Sequence, residues 1–66
     1  MRLTDFWYRM EQVFGGGYAE SVAADQTLAQ LGGQTIREAL AMGMETVTVW
    51  RAICAEYPDR VPRRLR

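Results

Sequence analysis

The sequence predicts an all-α fold: a compact bundle of four short helices, about 4–14, 18–31, 35–42 and 46–57, followed by a flexible basic C-terminal tail. Three observations carry this reading. Apolar residues recur along arcs of helical period in four windows. Gly15–Gly17, Gly32–Gly33, Gly43 and Pro58 punctuate those windows where helices stop. Thr35-Ile36-Arg37-Glu38 has the form of a capping box, in which the Thr35 and Glu38 side chains satisfy each other's backbone donors.

In the first helix, Thr4 is the expected N-cap, Asp5 complements the positive helix start, and Leu3 is placed to pack on Tyr8 as a hydrophobic staple. At 100° per residue Phe6, Trp7, Met10, Val13 and Phe14 share one arc, opposite Asp5, Arg9 and Gln12. Three consecutive glycines then make further helix entropically costly. The second helix, over 18–31, presents Tyr18, Val22, Ala24, Leu28, Ala29 and Leu31. Asp25 falls in the middle of that arc, so it is expected to be buried and to need a helix N-terminus or an arginine as partner.

The third helix buries Ile36, Ala39 and Leu40 and ends at Gly43. The fourth begins at Thr46, carries Val49, Trp50, Ile53, Cys54 and Tyr57 on one side, and turns Thr48, Arg51 and Ala55 away from them. Together, residues 35–53 have the outline of a helix-turn-helix, whose second helix would dock in a major groove. Ala39 and Val49 fit that alignment. The outward set would then be Glu45, Thr46, Val47, Trp50 and Arg51, of which only Arg51 is basic, and Glu45 would repel phosphate. Burying Trp50 removes about 200 Å² from water, worth up to about 5 kcal/mol. A domain this small can hardly forgo that, so the segment reads as a core-building corner.

The 66 residues hold one domain at most, here 1–57, with 58–66 as a basic tail. At 48% hydrophobic and 24% charged, the chain is composed like a folded protein. Net charge is zero, but Arg60, Arg63, Arg64 and Arg66 against Asp59 give residues 57–66 a charge of +3. No apolar run approaches a membrane span, and Asp5, Arg9 and Glu11 interrupt any secretory h-region, so a cytoplasmic protein is expected.

The residue inventory excludes several chemistries. There is no histidine, one cysteine (Cys54) and one serine (Ser21), so a Ser-His or Cys-His nucleophile pair and a zinc site are absent. Gly15–Gly17 lack the preceding strand and following Gly-Lys of a phosphate loop. Cys54 lies on an apolar arc and reads as an inert core thiol. The chain is expected to be non-enzymatic, without cofactor or metal.

Three segments, MRLTDFW, YAESVAADQTLAQLGGQTIREALA and VWRAICAEY, together make the chain resemble an actinobacterial family of short helical proteins known only as a domain of unknown function. That family is often encoded beside the RecA recombinase. The resemblance implies a small helical protein with a link to recombination or repair through gene neighbourhood alone, and supplies no catalytic residues. The chain departs from the family pattern at Val22, where Trp is common, and at Glu45-Thr46, where Asp-Pro is common, which weakens the capping of the fourth helix.

The expected role is therefore binding, with a protein partner or self-association ahead of nucleic acid. Tyr8, opposite the buried arc of the first helix, is the expected partner contact. Arg51, Arg60, Arg63, Arg64 and Arg66 are the alternative contacts, to nucleic acid or an acidic partner. Thr35, Glu38, Gly43, Trp50 and Asp25 are read as structural.

Overall fold

A computed structural model describes residues 1–66. The chain is mostly helical. The helices are α1 (Leu3–Phe14), α2 (Ala19–Asp25), α3 (Ile36–Ala41) and α4 (Thr46–Glu56). A two-stranded antiparallel ribbon, β1 (Thr27–Leu28) and β2 (Gln34–Thr35), lies between α2 and α3, pairing Thr27 with Thr35 and Leu28 with Gln34. Short 3₁₀ turns occupy Ala29–Leu31 and Arg63–Leu65.

The α1 arc buries Phe6, Met10 and Phe14, with Trp7 and Val13 half-buried against the same core. The helix starts one residue earlier than expected, with Arg2 at the N-cap position and no side-chain cap. Thr4 therefore does not cap it. Leu3 and Tyr8 are both exposed, so the expected staple does not form.

The second helix is half the expected length. It stops at Asp25, and Gln26 takes an extended conformation. The buried face is Ala19 and Ala23, with Val22 half-buried, while Ala24 and Asp25 are exposed. The expected burial of Asp25 is thus overturned, and the reason is energetic. A continuous helix through 31 would carry an unpaired carboxylate inward on the same arc as Leu28. Breaking the helix lets Leu28 and Leu31 reach the core separately, at 0% and 4% exposure, and leaves Asp25 in water. The ribbon reverses through Gly32 and Gly33, both at positive φ, where only glycine is unstrained.

Both bonds of the capping box open α3: the Glu38 amide donates to Thr35 Oγ1 at 3.1 Å, and the Thr35 amide donates to Glu38 Oε1 at 2.8 Å. The helix ends in a Schellman turn. Gly43, at φ +89°, donates to the Leu40 carbonyl at 3.1 Å, and the Met44 amide donates to the Ala39 carbonyl at 3.1 Å. Beyond this turn α4 buries Val49, Trp50, Ala52 and Ile53, with Cys54 and Tyr57 half-buried.

The largest departure is the tail. Val61 and Leu65 are buried at 2% and 8% and belong to the same fifteen-residue core as the helices. Residues 58–66 are therefore docked on the domain instead of standing apart from 1–57. The Trp50 indole Nε1 donates to the Leu65 carbonyl at 2.7 Å, and Arg9 donates to the same oxygen at 3.1 Å. Edge-to-face contacts of Phe6 with Trp50 and of Phe14 with Tyr57 join α1 to α4 and its C-terminal end, and Phe6 makes a third with Trp7 within α1. Each such pair adds about 0.5–1.5 kcal/mol beyond area burial.

Candidate functional site

The arginines singled out in the sequence fall into two groups. Two of them serve the fold: Arg66 donates from Nε to the Val61 carbonyl at 3.2 Å and from its terminal nitrogen to the Pro58 carbonyl at 2.6 Å, closing the tail on itself. Arg60 lies with its guanidinium carbon 5.0 Å from the centre of the Phe14 ring. Arg51, Arg63 and Arg64 are exposed and make neither ion pairs nor side-chain hydrogen bonds. The structure holds one salt bridge, Arg37 to Glu20 at 2.9 Å, between side chains at least half exposed, where such a pair adds at most about 1 kcal/mol.

The outward face required by the helix-turn-helix alignment is not assembled. Trp50, which would have to face a groove, is 1% exposed and held by the tail. The start of α4 is occupied as well, because the Thr46 hydroxyl donates to the backbone carbonyl of Met1. Glu45, the N-cap residue of α4, makes no cap with its side chain.

That Thr46–Met1 bond creates a feature the sequence reading missed. It ties the backbone of Met1 to the first residue of α4, just past the turn that carries Met42 and Met44, and Leu3 follows two residues after Met1. These four are exposed at 41%, 53%, 74% and 38%. Met42 accepts at its sulfur from Gln34 Nε2 at 3.0 Å. The signal was present in the sequence as two methionines flanking Gly43, and only the long-range contact shows what stands beside them. Tyr8, 60% exposed, is five residues along α1 from Leu3 and so points about 140° away from it. It does not join the same surface.

A second feature is a half-open recess of about 200 Å³ lined by Phe14, Tyr18, Val22 and Arg60. Three lining groups are apolar or aromatic and the fourth is the arginine stacked on Phe14.

Burial pushes the Cys54 thiol above its ordinary pKa, and the positive charges of Arg66 and Arg9 oppose that rise without cancelling it. No group of three or more His, Cys, Asp or Glu side chains is placed to hold a metal ion. No helix is long and apolar enough to cross a membrane.

Residues 1–64 match the family described as "Protein of unknown function (DUF3046)". The chain belongs to that family. The DUF3046 match spans the helices, the ribbon and the docked tail up to Arg64, so the buried Val61 lies inside the family's extent. No curated protein and no solved structure matches this DUF3046 chain.

Proposed function

We propose that this protein is a non-enzymatic binding module that docks a protein partner through the end of the molecule where Met1, Leu3, Met42 and Met44 are exposed. The single observation that carries the reading is the Thr46–Met1 bond, which brings the start of the chain to the first residue of α4, just past the turn that bears the exposed Met42 and Met44. Unbranched, polarizable methionines adapt to an apolar partner surface more readily than branched side chains do. A stable homodimer needs about 800 Å² per partner, nearly a fifth of this chain's 4309 Å². Only six large hydrophobics are exposed, and two of them, Tyr8 and Tyr18, lie outside this patch, so it suits a contact smaller than a stable dimer interface.

The reading is tested by incorporating a photoactivatable methionine analogue and irradiating cells that express the protein at native level. A discrete heterologous adduct is expected. It should disappear in a Leu3→Glu, Met42→Glu double variant and survive Tyr8→Ala. Buried Met10 gives only internal adducts. An adduct unaffected by the double variant, or none at all, overturns the reading.

A second reading rests on Arg51, Arg63 and Arg64, whose cations are unpaired. It places the protein on nucleic acid, in a repair or recombination setting, through phosphate contacts. Three contacts predict a log-affinity against log-salt slope of about −2 to −3 on duplex DNA. An Arg63→Ala, Arg64→Ala double variant should reduce that slope by about 2, and an unchanged slope removes this reading.

A further inference from the structure

We infer that the recess formed by Phe14, Tyr18, Val22 and Arg60 receives a segment of a protein partner that sets an aromatic or branched apolar side chain beside a carboxylate. The first support is its shape and lining. A volume of about 200 Å³ is small for a free ligand, since pockets that enclose whole small molecules run from about 300 Å³ upward. It is adequate for one side chain, because a dry cavity of about 150 Å³ takes up a benzene ring.

The second support is charge. Arg60 is the one ionic group in the lining and makes no ion pair and no side-chain hydrogen bond. Its guanidinium carbon lies 5.0 Å from the Phe14 ring centre, within cation–π range, and its N–H groups have no partner in the fold and are available to a carboxylate. An apolar lining with one unpaired cation selects an occupant that is apolar and anionic at neighbouring positions.

The third support comes from the glycines. Gly16 and Gly17 lie in the turn joining Phe14 to Tyr18, two of the four lining residues. Neither has a positive φ, and a Cβ built on either meets nothing within 4 Å. The fold therefore requires glycine at neither position, unlike Gly15 and Gly43, whose positive φ does. A bare backbone beside the recess is what a closely approaching partner chain needs.

The inference rests on the protein-binding reading for its class of partner but uses a different surface, so the two fail separately. The test is a ¹⁵N-detected NMR titration of the full chain with a capped pentapeptide carrying one phenylalanine next to one aspartate. Saturable shifts at Gly16, Gly17, Tyr18 and Arg60 are expected, with Met42 and Met44 unmoved. Replacing the peptide's aspartate by lysine, or using Arg60→Gln protein, should weaken binding roughly fivefold. Gly17→Val should block binding while leaving the amide spectrum of α3 and α4 in place. No shifts at millimolar peptide, equal affinity for the lysine peptide, or equally tight saturation by 3-phenylpropionate overturns the inference. Failure here with methionine adducts intact removes only the recess; the reverse result removes only the methionine junction.

Discussion

The indole of Trp50 on α4 and the carbonyl of Leu65 in the tail are joined by a buried hydrogen bond of 2.7 Å. A Trp side chain repays burial only if its N–H finds an acceptor, since an orphaned buried donor costs about 1–3 kcal/mol. The Leu65 carbonyl is the acceptor for that nitrogen, so the tail completes the core. Arg9 secures the same carbonyl from α1, with its guanidinium carbon 6.0 Å from the Trp50 ring centre.

Leu65→Ala should therefore behave as a core truncation. A loss of about 2–5 kcal/mol is expected by thermal or urea denaturation, from a total of about 3–10 kcal/mol for a chain of this length. A change below about 0.5 kcal/mol would show that the docked tail contributes nothing. Deleting residues 58–66 removes Val61 as well and should unfold the domain, which makes the deletion unsuitable as a test of charge.

At the start of α3 the capping box satisfies two backbone donors reciprocally. Thr35→Ala should cost about 0.5–2 kcal/mol, while Thr35→Ser, which keeps the hydroxyl, should retain most of the stability. Equal losses in the two variants would assign the effect to the lost methyl group and not to the cap.

Gly43 and Gly16 make a controlled comparison, since both have open space where a Cβ would stand and differ in φ. Gly43→Ala forces an L-residue to φ +89° and should destabilise by about 1–2 kcal/mol. Gly16→Ala should be neutral or stabilising by up to about 1 kcal/mol, by restricting the unfolded chain. Denaturant midpoints of the two variants should move in opposite directions or differ clearly in size.

Cys54 should be slow to alkylate at neutral pH, because a raised thiol pKa leaves little thiolate. Its rate should continue to rise at pH values where an ordinary thiol has already levelled off. The linkage follows the same sign: the folded state holds the proton more tightly, so stability is complete below the ordinary thiol pKa of about 8.5 and falls as pH climbs through the folded value. In Cys54→Ala that alkaline loss should be absent, whereas an identical alkaline profile would show that the thiol is not responsible.

Much of the fold was legible in local pattern. The arc of α1, the capping box, the Gly43 turn and the stop before Pro58 are short-range features, each decided by residues within about one helical turn of one another. The second helix was misread because Tyr18–Leu31 sustains a passable helical arc, and the carboxylate of Asp25 within it was assigned a partner when the better solution was to end the helix. The tail was misread for the opposite reason. Two prolines and four arginines gave a polar average that hid Val61 and Leu65, four residues apart and both buried. Of the candidate sites, the arginines and Tyr8 stood out individually. The methionine junction and the recess did not, because each joins residues distant along the chain.

The sequence by itself determined the helical class, the positions of most helix ends and the residue types the chain lacks, because these depend on composition, on local hydrogen bonding and on glycine's access to positive φ. Tertiary structure decided where α2 stops, that Trp50 finds its acceptor fifteen residues away, and which side chains share a surface. Those outcomes depend on long-range competition for a small core, in which a buried carboxylate or an unpaired indole N–H costs more than any local propensity can offset.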